Sequence, residues 1–223
     1  MFAGRPIIGL AGGIGSGKSH IAKLLEQLGC CRVDSDEMVR TAYTHPQVKQ
    51  AVMQRFGEDV ITPDGNVNRK AIAQIVFRDA SQRKWLEQLL HPVANMARVE
   101  LMDAAARDPK VRAYVWDSPL LLETELDKLC DHVWFVDTPR EDRIQRVESR
   151  GWDEAELDRR ENAQWPIEKK RAAADFVILN GENAPASAKV LARLLNNVAP
   201  LEPSVECCGG ANEGGCGCGT PGS

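Results

Sequence analysis

The stretch Gly12-Gly13-Ile14-Gly15-Ser16-Gly17-Lys18-Ser19 restricts what this chain of 223 residues can fold into more than any other part of it. It satisfies the pattern of glycine, four residues, then Gly-Lys-Ser. An apolar run, Pro6 to Ala11, precedes it, and behind it Ile21, Leu24, Leu25 and Leu28 recur three and four apart until Gly29. A buried strand feeding a glycine-rich turn, and the turn feeding an amphipathic helix, is the context in which such a turn cradles phosphate. Successive backbone N–H groups must point inward, and glycines permit the tight turn and leave no Cβ in the way. The unpaired N–H groups and positive end of the following helix add to the attraction. Gly13, Ile14, Gly15, Ser16, Gly17, Lys18 and Ser19 are therefore read as nucleotide-binding, with Lys18 bridging the β and γ phosphates of ATP and Ser19 as a magnesium ligand.

Further apolar runs follow at Cys30 to Val33, Val111 to Trp116, Val133 to Val136 and Phe176 to Leu179. Apolar strands alternating with helical stretches read as an α/β fold of three layers, a mostly parallel sheet covered on both faces. Ligands in such sheets bind beyond the carboxyl ends of the strands, where the glycine turn, Asp34 to Asp36, Asp117 and Asp137 would emerge together. Between Asp36 and Pro109 the periodic runs Val48 to Phe56, Ala71 to Phe77 and Trp85 to Val99 predict a helical insertion (36–110). From Pro139 to Lys170 the chain carries Arg140, Arg143, Arg146, Arg150, Arg159 and Arg160, a basic density read as a mobile lid (139–170). Residues 201–223 shift to Gly, Cys, Pro and Ser and are expected to be a disordered tail outside a domain of residues 6–200.

A formal charge of −4 gives no overall basic field, so nucleic-acid binding has no electrostatic support at the level of the whole chain. No run has the length of a membrane span, and no secretory leader is expected. The seven cysteines are odd in number and unevenly spread, which points to a reduced, cytoplasmic protein.

A phosphate loop alone names no substrate. The Asp-x-x-Gly and Asn-Lys-x-Asp strings of a GTPase are absent. Taken in order, Leu10 to Ser19, Val33-Asp34-Ser35-Asp36 with Arg40, Phe56-Gly57 and Asp64-Gly65, Asn68-Arg69, Leu90-His91-Pro92 and Asp117-Ser118-Pro119-Leu120-Leu121-Leu122-Glu123 continue into Arg146 with Arg150, Gln164, Lys170, Ala174-Asp175 and Asn180-Gly181. This series resembles the dephospho-CoA kinase family over residues 7 to 197. The resemblance implies a P-loop kinase-like fold around a five-stranded parallel sheet. It also implies transfer of the ATP γ-phosphoryl group to the ribose 3′-hydroxyl of dephospho-CoA, with Mg²⁺, in the last step of coenzyme A synthesis, by a monomer or weak oligomer. Two positions depart from the family pattern: His20, which the resemblance places among the nucleotide-binding residues, replaces a usual threonine, and Arg143 stands where glutamine is common.

The resemblance makes Asp36 the carboxylate that faces the acceptor hydroxyl as general base, although an aspartate there is equally suited to cap the next helix. Asp117, closing its strand, is placed to hold magnesium through water, or else to cap a turn before Pro119. Arg40, Arg69, His91 and Gln164 are assigned to the acceptor by the resemblance. Arg146 and Arg150, four apart on one helix face, are read as ATP contacts, against a surface pairing with Asp142 and Glu154. The competing readings are another small-molecule or nucleoside monophosphate kinase, and an ATP-binding protein that phosphorylates nothing.

Overall fold

The computed structural model describes residues 1–201, so the expectation of a disordered Gly/Cys-rich tail, with Cys207, Cys208, Cys216 and Cys218, lies outside the described residues. The five apolar runs form the strands β1 (Ile7–Gly12), β2 (Cys30–Asp34), β3 (Ala113–Asp117), β4 (His132–Asp137) and β5 (Phe176–Leu179). All pair in parallel in the order β2-β3-β1-β4-β5. The third run enters the sheet two residues later than its hydrophobicity predicts, because Val111 is held in a turn by its N–H donating to Asp108 O.

Parallel neighbours need crossover connections, and the helices that make them cover both faces. Side chains alternate across the sheet. Ile8 and Leu10 of β1 face a core completed by Ile21, Ala22 and Leu25 of α1 (Lys18–Gln27) and by Leu191 and Leu195 of α9 (Ala188–Val198). Ile7 and Ala11 face the opposite core, with Val33, Trp116 and Phe135, under Met102 of α5 (Ala80–Ala106) and under Leu121 and Leu122.

The region between β2 and β3 is helical, as its periodicity predicts. It consists of α2 (Ser35–Ala42), α3 (Pro46–Phe56), α4 (Arg69–Arg78) and α5, which runs on through Pro92. Ala42, Val48, Val52, Ile72, Leu86 and Leu90 give it a small core of its own, while the far end of α5 rests on the sheet. After β4 come α6 (Arg140–Glu148), α7 (Glu154–Glu161) and α8 (Ile167–Ala172). The sheet register sets Leu10 and Asp34 beside Asp117 and Gly12 beside Val136, so the carboxyl ends of the four strands β1 to β4 open on one edge. The strand order reverses at β1, and the crevice for a ligand lies outside that point.

Candidate active site

The glycine-rich turn leaves β1 and enters α1 with Gly15 at φ 76° and Gly17 at φ 89°, the left-handed region that side chains other than glycine seldom adopt. A Cβ on Gly17 would also stand 2.5 Å from Asn180 Nδ2, and one on Gly15 would stand 2.9 Å from Arg143 O. The turn is therefore wedged between its neighbours as well as bent. Its carbonyls are gripped from outside. Ser16 O accepts from Thr138 Oγ1 at 2.9 Å, Asn180 Nδ2 at 2.8 Å and Arg146 Nη1 at 3.2 Å. A trans peptide is planar, so a carbonyl fixed on one side turns the next N–H to the other. Pinning Ser16 O thus aims Gly17 N–H inward. Among the described residues the N–H groups of Gly15, Gly17, Lys18 and Ser19 are paired with no protein acceptor, which is the donor set an anion would meet.

Lys18 folds back over the turn, its Nζ donating to Gly12 O and Gly13 O at 3.0 Å each. Burial lowers its pKa to about 8, with the Lys170 charge acting in the same direction and Asp117 and Glu123 opposing. The ammonium is costly to hold there until an anion arrives. Lys170 is itself buried, ion-paired with Glu123 at 2.7 Å and hydrogen-bonded to Gln164 Oε1 at 2.7 Å. Glu123 also accepts the Trp165 N–H at 3.0 Å, so one buried pair pins the Gln164–Trp165 corner against the loop after β3.

Three carboxylates stand at the strand ends, and the structure divides their work. Asp34, not Asp36, caps α2, its Oδ1 accepting from the N–H groups of Asp36 and Glu37 at 3.0 and 3.1 Å. Asp36 in the first turn is left with its side chain free at the cavity wall. Partial burial raises its pKa above the ordinary carboxylate value, the charges of Asp34 and Asp117 add to the rise, and Arg40 opposes it. Asp117 is buried and linked to Arg32 Nη2 at 3.0 Å, and the same guanidinium nitrogen reaches Asp34 at 2.6 Å. The Arg32 bridge carries no motif and is invisible to a reading of the sequence.

These groups share a cavity of about 880 Å³. Ile14 to His20, Asp36, Arg40 and Asp117 all line it. Gln164 lines it too, with Arg150, Arg159 and Arg160. Arg159 and Arg160 both pair with Glu156, and the Arg160 guanidinium lies 4.0 Å from the centre of the Trp152 ring, which also lines the cavity. Arg146 and Arg150 part company. Arg146 is spent on the carbonyls of Gly15, Ser16 and Asn180, while Arg150 faces the cavity, and neither makes the ion pair with Asp142 or Glu154 that helix spacing allows. Gly13 borders a neighbouring hollow beside Arg143 and Glu161. Arg69 and His91 are exposed on α4 and α5 and are not brought to the cavity. Phe77, the penultimate residue of α4, is 81% exposed and lines the same cavity as the phosphate loop. Its place in an apolar helical run made it look like core; only its exposure beside charged groups singles it out.

Comparison with known proteins points to one family. The family model for dephospho-CoA kinase matches residues 6–185. A dephospho-CoA kinase of Parasynechococcus marenigrum is 43% identical over 175 residues, spanning 78% of this chain and 86% of its own length. One from Anaeromyxobacter dehalogenans is 40% identical over 192 residues, 85% of this chain and 90% of its own. Among solved structures, TT1252 from Thermus thermophilus superposes with a TM-score of 0.69 at 32% identity, over 87% of this chain and 96% of that one. The dephospho-CoA kinase from Campylobacter jejuni, at 20% identity and a TM-score of 0.59 over 87% and 98%, shares the fold.

Proposed function

This chain belongs to the dephospho-CoA kinase family and is an ATP-dependent kinase, and from that premise we propose which residues of the cavity hold each substrate and move the proton. ATP lays its phosphates along the N–H groups of Gly15, Gly17, Lys18 and Ser19, with Lys18 leaving the Gly12 and Gly13 carbonyls for the phosphate oxygens. The ribose 3′-hydroxyl of dephospho-CoA faces Asp36. Its carboxylate accepts the hydroxyl proton as the oxygen attacks the γ phosphorus and ADP leaves. The observation that carries this reading is the capping of α2 by Asp34, which frees the Asp36 side chain in the cavity that the phosphate loop also lines.

The Ser19 hydroxyl and the Asp117 carboxylate border the same cavity and are the hard oxygen donors that Mg²⁺ takes. Held there, that ion would neutralise phosphate charge. Arg150, Arg159 and Arg160 supply the cationic side of the lid, where guanidinium suits phosphate oxygens. The acceptor side is assigned to Arg40, Phe77 and Gln164. Arg69 and His91 stand on the same helical insertion, but the assignment does not extend to them. Among the described residues Cys30, Cys31 and Cys130 form no disulfide, in keeping with a reducing cytoplasmic setting, and no helix there is long and apolar enough to cross a membrane.

The test is ADP release measured with and without dephospho-CoA, followed by phosphorus NMR of the product. ADP release that depends on dephospho-CoA, with a new 3′-phosphate, is expected. Release that is indifferent to dephospho-CoA, or faster with nucleoside monophosphates, overturns the assignment.

A further inference from the structure

Arg143 is a buried cation against the phosphate loop that the functional reading above leaves without a part. It is buried on α6, and its Nη1 is ion-paired with Glu161 Oε1 at the end of α7. The pair lies against the phosphate loop. Glu161 Oε1 accepts from Ile14 N–H at 3.3 Å, and Arg143 Nη1 donates to Ile14 O at 3.4 Å. A Cβ added to Gly13 would lie 3.0 Å from Arg143 Nη1 and 3.2 Å from Glu161 Oε1, so the loop and the pair are in direct contact.

We propose that Arg143 and Glu161 are positioning residues of this kinase, a polar clamp from the lid helices that orients the two peptide planes flanking Ile14 and thereby aims the phosphate-binding groups of the loop. The reasoning is the planarity that applies to Ser16. In the plane joining Gly13 and Ile14, Glu161 draws the N–H outward, and Gly13 O faces the other way, where it accepts Lys18 Nζ at 3.0 Å and Ser16 N–H at 3.2 Å. In the plane joining Ile14 and Gly15, Arg143 holds the carbonyl, and Gly15 N–H is turned toward the cavity. The clamp works only in one polarity, because an N–H needs an acceptor, which Glu161 offers, and a C=O needs a donor, which Arg143 offers. A buried ion pair is weak evidence for stability, since desolvation offsets the attraction. Orientation of the loop gives the pair a use that stability does not. Arg143, with Arg140 Nη1 at 3.8 Å from Glu161 Oε2, also neutralises a carboxylate that would otherwise repel the triphosphate. The two residues lie on different lid helices, so the clamp ties the arrangement of α6 and α7 to the loop that binds ATP.

The inference rests on the reading of this loop as the ATP site, so the parent protein must first show ATP binding by calorimetry and ADP release that depends on dephospho-CoA; failure there sinks the functional reading and not the clamp. Four variants then address the clamp, each followed by melting temperature, ATP Kd and kcat. Glu161→Gln keeps an acceptor for Ile14 N–H and should bind ATP within about threefold of the parent, whereas Glu161→Leu and Arg143→Met should raise the ATP Kd about tenfold or more, a loss of roughly 1.4 kcal/mol. The reciprocal swap R143E/E161R restores the ion pair with its polarity toward Ile14 reversed. A melting temperature that recovers while ATP affinity stays low supports the clamp, and recovery of both overturns it, because a merely structural pair is indifferent to direction. Should the swap fail to fold, Glu161→Leu with a parental ATP Kd overturns the proposal and a tenfold loss beside an intact Glu161→Gln upholds it.

Discussion

Raising the pH from about 7 to about 9 should weaken ATP binding by roughly an order of magnitude through one residue, Lys18. In the free protein its pKa is about 8, against an ordinary 10.5, chiefly because burial disfavours the ammonium. ATP phosphates reverse that balance and return the pKa to the ordinary range or above, so ATP binds the protonated form. The sign follows directly. Affinity is full below about pH 8, where the free protein already carries the charge, and falls as pH rises through that value, because the proton must then be taken from solvent. A pKa of 8 leaves about one-tenth of Lys18 neutral at about pH 7 and about nine-tenths neutral at about pH 9, which gives a ratio of affinities of ~10. Near pH 8 each ATP bound should take up about half a proton. Calorimetry in two buffers of different ionisation enthalpy reads both quantities at once. Lys18→Ala should bind ATP weakly and show neither effect. A parent Kd that stays flat across this range, or binding without proton uptake near pH 8, refutes the argument that burial holds the Lys18 pKa down.

Asp36→Asn should lower kcat by about a hundredfold to ten-thousandfold while ATP affinity barely moves, since the amide cannot accept the hydroxyl proton. The raised pKa of Asp36 also places the acid limb of kcat/KM in the parent above the ordinary carboxylate range, with activity lost as pH falls through it, and rate profiles against pH will show whether the limb disappears in the mutant. Phe77→Ala removes an aromatic surface that is 81% exposed in the free protein, so melting temperature should not change while the KM for dephospho-CoA rises several-fold; a raised KM for ATP instead would put Phe77 on the wrong side of the cavity. Arg146→Ala and Arg150→Ala should separate. The first strips hydrogen bonds from the carbonyls of Gly15, Ser16 and Asn180 and should destabilise the protein by about 2–4 kcal/mol, while the second should leave the melt alone and raise the KM for ATP.

The phosphate loop, the five strands and the helical insertion were legible in the chain because each is a local pattern. Glycine spacing, apolar runs and recurrence at three and four residues report on neighbours in sequence, and those neighbours are also neighbours in the turn, strand or helix they build. The ordered series of short motifs carried the family for a similar reason, since each motif is contiguous in sequence, although only some of them, such as the phosphate loop, Asp34 with Asp36 and Arg40, and Gln164, line the cavity. Asp36 was a candidate on the same grounds, yet the chain left open whether it capped the following helix. Only backbone direction at the end of β2 decided that, by giving the cap to Asp34.

Arg146 and Arg150 show where such reading stops. Four residues apart on a helix face, they look equivalent, and α6 ends between them, so that one grips loop carbonyls and the other faces the cavity. Arg32 and Phe77 gave no signal at all: the first is one more residue in a strand, the second one more apolar residue in a helical run. Their meaning comes from partners 85 residues away in one case, and from an absence of covering side chains in the other. The chain by itself therefore determined which elements form and which chemistry they can carry, because propensity, periodicity and turn geometry act over a few residues. Which side chains meet across the cavity, which carbonyl a guanidinium grips and which carboxylate is left free were decided by tertiary packing, because those outcomes depend on distances between segments that no local pattern encodes.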